Sequence, residues 1–238
     1  MKKAMLFWAL LGLVGFTSCE TKYQEHDAEA LGLDYLPVNI GDYKVYKVVD
    51  IKYQFNVATK DSFEMKEVVD TSFYDQTYTL TYKIIRSIKR YNDTGWVEDS
   101  VMTLTKSDKY ALLTKDNTKY VKLVFPIKEG KIWYADAFND RLTSNDTKIP
   151  HRYINVGKPY DLNGVTYPST LTVDQNSSPN SVLIDNRNEV YAKGIGKIYR
   201  VFNKVVLASC ATDDCVYGPD YKLDGHERYE SLIDYGTL

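Results

Sequence analysis

Apolar residues recur at every second position along much of this chain, and that period constrains the fold most. In TYTLTYKIIRSIKR, the residues Tyr78, Leu80, Tyr82, Ile84 and Ile88 share one phase, while Thr77, Thr79, Thr81, Lys83 and Lys89 take the other. From Tyr43 to Tyr53 the odd positions read Tyr, Val, Lys, Val, Ile and Tyr, and the even ones include Lys44, Asp50 and Lys52. Alternation of this kind predicts strands with an apolar face turned to a core and a polar face turned to water. Further strands are expected at Val101–Lys106, Lys119–Phe125, Val165–Val173, Glu189–Lys193, Lys197–Leu207 and Glu227–Asp234. Turn signals separate them: Asn92 to Gly95, Glu129-Gly130, Asn163-Gly164 and Gly194 to Gly196. Asn163-Gly164 is a two-residue hairpin cue, because both residues tolerate positive φ. Many short strands with little helical periodicity predict an all-β, antiparallel curved sheet: a half-barrel, a barrel or a sandwich. The 21 tyrosines fit such a sheet, with rings in the core and hydroxyls at its rim. A stacking platform built from some of them with Trp96 and Trp133 would be the sharper reading, and no local pattern selects the rings.

Helical character is confined to the start. MKKAMLFWALLGLVGFTSCE carries Lys2 and Lys3, then an apolar run from Ala4 to Phe16, then Thr17, Ser18 and Cys19. An apolar core of about a dozen residues suits the h-region of an export signal, whereas a spanning helix needs about 20. Small residues ahead of Cys19 resemble the bacterial lipobox, in which the cysteine thiol is alkylated with diacylglycerol and becomes the first mature residue. Phe16 departs from the aliphatic residue usual at that place. The expected organisation is a lipoprotein signal peptide at 1–18, a lipidated polar tether at 19–34 with a helical turn at Asp27–Leu31, and a single antiparallel β domain at 35–238. Two or more acyl chains, each methylene contributing about 0.8 kcal/mol, hold a soluble domain stably at a bilayer.

Export changes how the other cysteines read. Outside the cytosol, Cys210 and Cys215 are expected to form a disulfide. The small loop they would close restricts the unfolded chain by roughly 2 kcal/mol. Their spacing is not that of a redox CxxC pair. Asp213 and Asp214 lie between them, but without the alternation of a calcium loop they read as a solvated acidic turn, and no metal site is expected. The full chain has 30 Lys and Arg against 32 Asp and Glu, a net charge of −2. Losing the signal peptide leaves 28 against 32, about −4. That balance gives no electrostatic case for nucleic acid or an anionic membrane surface.

The chemistry-bearing residues are sparse. Histidine occurs at His26, His151 and His226 alone. No HExxH, GxSxG, phosphate loop or dinucleotide fingerprint is present. Gly194-Ile-Gly196 leads into a strand pattern, so its glycines suit a tight turn and not a phosphate cradle. No catalytic residue and no cofactor is expected from motifs, although a spatial triad or carboxylate pair leaves no mark in one sequence. Asp99-Ser100-Val101 resembles the short site at which Bacteroidota attach O-glycans, which makes Ser100 a candidate for modification.

Several blocks in order carry a wider resemblance. DYLPVNIGDYKVYKVVDIKY, YKIIRSIKR followed by GWVEDSVMTL, YVKLVFPIKEGKIW, EVYAKGIGKIYRVF and HERYESLIDYG together resemble a family of uncharacterised Bacteroidota outer-membrane lipoproteins. The resemblance implies a compartment and an anchor, with the domain at the periplasmic face or the cell surface, and no activity. Glu20 after the cysteine fits outer-membrane sorting. The expected function is a non-catalytic binding or accessory module for a protein, a glycan or an envelope component. The alternatives are a lipid or hydrophobic-ligand carrier with a deep apolar half-barrel cavity, and an envelope hydrolase that would need His151, His226 or a carboxylate pair in a cleft.

Overall fold

A computed structural model describes residues 27–139, 150–177, 180, 182–208 and 220–238. Cys19, Cys210, Cys215, His26 and the Asp213-Asp214 pair lie outside the described residues. The described residues form one twelve-stranded antiparallel sheet that curls almost into a closed barrel. Its strands are β1 (Asp42–Gln54), β2 (Val57–Tyr74), β3 (Leu80–Lys89), β4 (Val97–Lys106), β5 (Tyr110–Lys115), β6 (Thr118–Val124), β7 (Ile132–Tyr134), β8 (Pro150–Leu162), β9 (Val165–Ser177), β10 (Leu183–Ala192), β11 (Gly196–Leu207) and β12 (Lys222–Thr237). They follow one another around the sheet, and β12 pairs with β1, so β6 and β7 are the two edges.

Those edges are closed by side chains as well as by backbone. Val121 of β6 donates its N–H to Ala135 O at 2.8 Å, and Trp133 Nε1 donates to Val121 O at 3.0 Å. Tyr153 of β8 reaches the same edge. Its hydroxyl accepts from Val124 N at 2.8 Å and donates to Val124 O at 3.0 Å. Asn139 bridges Lys119 N and Lys119 O in the same manner. An unpaired sheet edge invites association with other chains, and these contacts occupy much of this one.

Turn chemistry accounts for several of the tight hairpins. Asn163-Gly164 has positive φ at both residues (53° and 81°), as its sequence predicts. Phe55-Asn56 and Asp116-Asn117 do the same, with the asparagines supplying the tolerance for the left-handed region. Strand β8 bends where Asn155 and Gly157 take positive φ and its pairing with β9 skips from Ile154 to Lys158. Glu129 accepts the exposed Asn155 and Val156 N–H groups there. The β8–β9 hairpin beyond the bend folds onto β11 and β12, with Tyr160 beside Tyr199 and Asn163 Nδ2 donating to Leu232 O.

One end of the barrel is stoppered by the segment ahead of β1. A short helix α1 (Ala28–Leu31), capped by Asp27, is followed by a 3-10 turn (Leu33–Tyr35). The helical turn falls where the sequence predicts it, but Leu33 and Leu36 pack into the core, so the fold begins before residue 35. Leu31 O accepts from Ile127 N, Asp34 O accepts from Gly194 N, and Lys106 Nζ donates to the carbonyls of Leu33 and Leu36. Tyr35 is buried and hydrogen-bonds Ser169 at 3.0 Å. Gly32 has φ +75°, and a Cβ there would meet Ile127 Cγ1 at 2.7 Å. Gly32→Ala is therefore expected to cost about 1–2 kcal/mol. Urea unfolding measures it, and an unchanged midpoint would contradict the close packing of the stopper.

Two apolar clusters fill the barrel and its flank. One joins Tyr35, Leu104, Leu123, Trp133, Tyr153, Leu171 and their neighbours beneath the stopper. The other joins Tyr46, Val48, Met65, Leu162, Tyr167, Ile198 and Leu232. The structure departs from the expected alternation in two places. Tyr78 is not in β3 but in the preceding turn, with φ 57° and a fully exposed ring. In β1 the apolar odd face does not form the core. Tyr46 and Val48 are completely buried, so the even face, with Lys44, Asp50 and Lys52, is the inner one. The interior therefore has to accommodate charge.

Candidate functional site

Registry explains how charge comes to line the interior. Partners directly across an antiparallel ladder point to the same face. Val48, Asp50 and Lys52 of β1 sit opposite Glu230, Arg228 and His226 of β12. On the other side they sit opposite Phe63, Asp61 and Thr59 of β2. Arg200, Phe202 and Lys204 of β11 continue the row, as does Arg86, which faces Glu67 across β2 and β3.

Deep in this row is a buried ionic network. Glu230 has no solvent exposure and accepts from Lys197 Nζ (3.0 Å), Arg200 Nη1 (2.9 Å) and Arg228 Nε (2.8 Å). Glu189 accepts from Lys122 Nζ and from the Tyr191 hydroxyl, each at 2.6 Å. Glu67 holds Arg86 through Nε (3.2 Å) and Nη2 (2.6 Å). Asp50 holds Arg228 Nη1 at 3.0 Å and His226 Nε2 at 2.7 Å. Burial by itself would raise all three glutamate pKa values. The surrounding cations overcome it: Lys197, Arg200 and Arg228 hold Glu230 well below the ordinary range, and Lys122, Arg200 and Lys197 bring Glu189 to about 2. Lys197 and Arg86 hold Glu67 below it as well. These carboxylates stay ionised, which the buried cations require. Burial lowers the Lys122 pKa even with Glu189 beside it, while Arg86 and Arg200 are raised because their carboxylates outweigh burial.

Above the network, at the end of the barrel opposite the stopper, a cavity of about 600 Å³ opens. Arg86, Arg200 and Arg228 line it, with Phe63, Met65, Ile88 and Phe202 as apolar wall. The guanidinium groups of Arg90 and Arg228 lie 5.4 and 5.6 Å from the Phe63 ring, and that of Arg200 lies 5.7 Å from Phe202. Glu67, Glu189 and Glu230 are behind this lining and not part of it. The cavity merges toward its mouth with a broader one of about 1010 Å³ that shares Lys52, Thr59, Phe202 and His226.

The candidates from sequence are scattered. His226 lies on the cavity wall with Asp50 as partner and Phe202 as ring neighbour at 5.5 Å. His151 is away from the cavity, edge-on to Trp133. Burial first and Lys122 second lower its pKa to about 4, so the ring is neutral, and its buried Nδ1 has no hydrogen-bond partner. Among the described residues, no second histidine stands beside His226. Ser100 is half-buried in β4, opposite Arg86, and its hydroxyl donates to Asp99 at 3.0 Å. Trp96 is at the surface with Lys66 over its ring, while Trp133 is buried at the barrel seam, so the two do not share a platform. Among the described residues no cluster of three or more His, Cys, Asp or Glu could hold a metal ion, and no helix is long and apolar enough to cross a membrane.

Motif reading overlooked Arg86, Arg200, Arg228, Glu189 and Glu230. The signal available for some of them was periodic: HERYE places His226, Arg228 and Glu230 two apart, RSIKR places Arg86 and Arg90 four apart, and YRVF places Arg200 two before Phe202, on phases that pairing turns inward. No protein-family model matches the chain, and neither does any curated protein or any solved structure.

Proposed function

We infer that this chain is a non-catalytic binding module that takes a small component of the cell envelope into the open end of its barrel. The observation that carries the reading is the cavity of about 600 Å³, within the size range of small-molecule sites and enclosed by polar groups beside an apolar wall. A lipid carrier would call for a deep apolar chamber, and the charged lining favours a polar ligand over an acyl chain. For a hydrolase, the His226–Asp50 pair is the favourable feature. Asp50, however, is shared with Arg228, and among the described residues Thr59 makes no hydrogen bond to His226.

The same reading includes the anchor. Lipidation of Cys19 and outer-membrane placement rest on the lipobox-like stretch. Eight residues from Cys19 to Asp27 span at most about 28 Å. Because Asp27 enters at the stoppered end, an anchored barrel turns its open mouth away from the bilayer.

A thermal-shift series tests the binding reading. The mature protein, titrated with small-molecule fractions from envelope extracts, is expected to show a saturable rise in melting temperature. Ligand at 100 times its Kd contributes about 2.7 kcal/mol. Thr59→Trp, which puts an indole into the mouth from an exposed position, is expected to fold normally and lose the rise. No shift with any fraction, or the same shift in the variant, would count decisively against the cavity as the site.

A further inference from the structure

The geometry points to an organic anion with an apolar body as the ligand class: its charged head on the Arg86, Arg200 and Arg228 floor, its body between Phe63 and Phe202. This rests on the cavity being the binding site and adds what it selects. The charge distribution of the chain favours this class. The whole chain carries −2. The cavity lining instead has six cations (Lys52, Arg86, Arg90, Lys115, Arg200 and Arg228) against the carboxylates of Asp50, Asp61 and Asp99. Counting the network behind it, Lys122 and Lys197 against Glu67, Glu189 and Glu230, leaves eight cations against six carboxylates, still a local positive excess. A concave site lined by one sign of charge concentrates the field on ligands of the other.

The floor arginines are fixed from behind by Glu67 and Glu230, and Arg228 also from the side by Asp50 on the lining, which orients their guanidinium groups. Arg200 Nε is buried and has no hydrogen-bond partner, with Glu189 Oε1 3.6 Å away. The side chains of Lys52 and Lys115 make no hydrogen bond or ion pair among the described residues, although both residues line the cavity. Planar guanidinium donors match carboxylate, sulfonate and phosphate oxygens. Phe63, Met65, Ile88 and Phe202 give an apolar surface that a bare inorganic anion would leave unused, and the rings stand next to the arginines, so head and body meet their partners side by side.

A pair of dyes separates charge from apolar contact. 1-Anilinonaphthalene-8-sulfonate and N-phenyl-1-naphthylamine share a ring system and differ by the sulfonate. Fluorescence titration of the mature protein is expected to give one saturable site for the sulfonate, at least about 10-fold tighter than for the neutral dye. Raising the salt concentration to 0.5 M, on the order of a sixfold shorter reach than dilute buffer gives, weakens only the sulfonate. The double variant K52Q/K115Q removes two cations that hold no carboxylate, so folding is preserved, and it is expected to weaken the sulfonate roughly 3- to 10-fold without affecting the neutral dye. Sodium sulfate alone is expected to compete only at high concentration. Equal affinity for the two dyes, both blocked by Thr59→Trp, would overturn the anion inference and leave the cavity standing as a site. Unsaturable sulfonate binding, or a K52Q/K115Q titration identical to that of the parent, would overturn it as well. If neither dye binds, the anion inference falls and the extract series judges the cavity alone.

Discussion

Glu230→Gln is expected to lower the stability of the folded chain by about 3–5 kcal/mol near neutral pH, although the side chain keeps its size and its carbonyl oxygen. Glu230 is fully buried and is the acceptor for Lys197, Arg200 and Arg228. Neutralising it leaves three buried or half-buried cations to share Glu189 and Asp50. Urea unfolding at pH 7 measures the loss. The sign of its pH dependence follows from the direction of the shift. Folding depresses the pKa of Glu230, so its contribution is complete above the unfolded value of about 4.3 and fades as pH falls through the folded value. The gap between parent and variant is therefore expected to narrow below pH 4 and to be constant above pH 6. Glu189, brought to about 2, gives the parent a second acid-sensitive contribution on the order of 3 kcal/mol, lost over the same acidic range. A Glu230→Gln protein as stable as the parent at pH 7, or a gap that widens in acid, would mean that the network does not hold the barrel in this way.

Such a network is costly to desolvate, and an apolar core would stabilise the barrel at least as well. The cost is intelligible if the arginines above it have work at the cavity. Carboxylates placed behind Arg86, Arg200 and Arg228 fix guanidinium groups that would otherwise fold back or drift toward solvent. The stopper has a complementary consequence. It closes one end with Tyr35, Leu33 and Leu36, and the cavity opens at the other, where the charges are exposed.

What was legible in the sequence was the period, and what was not was its phase. The strands around Tyr82–Ile88, Lys119–Phe125 and Lys197–Leu207 are present, and the Asn163-Gly164 hairpin has the expected backbone. Strand β1 shows why the inside could not be assigned. Both of its faces carry apolar residues, Val45, Val49 and Ile51 on one and Tyr46 and Val48 on the other, and the bulge at Val45/Tyr46 shifts the register with β12. The rule that polar residues face water selects the wrong face when the interior is itself polar. Strand β2 was missed because VATKDSFEMKEVVDTSFY mixes charge into both phases. The cavity was illegible for a different reason. Asp50, Arg86, Arg200 and Arg228 come from four strands, and only the pairing of the last strand with the first brings them together.

That closure also sets the second large effect. Trp133→Ala is expected to cost about 3–5 kcal/mol, the range for removing a large buried aromatic ring. Trp133 is buried on the short strand β7, its ring 4.4 Å from Tyr153, and its Nε1 donates to Val121 O on the opposite edge. The milder Trp133→Phe separates the two roles. It keeps most of the apolar surface but leaves the Val121 carbonyl without its donor, and an unsatisfied buried acceptor costs about 1–3 kcal/mol. Val121 and Val124 both depend on residues across the seam, whereas Val48 pairs within the centre of the continuous sheet. Amide hydrogen exchange distinguishes a local opening from a global loss. In Trp133→Phe, exchange at Val121 and Val124 is expected to accelerate by more than at Val48, because the seam opens by itself before the sheet unfolds. Equal acceleration at all three amides would show that the seam is no weaker than the rest of the wall. No acceleration, together with an unchanged urea midpoint, would show that the indole hydrogen bond contributes nothing to closing the barrel.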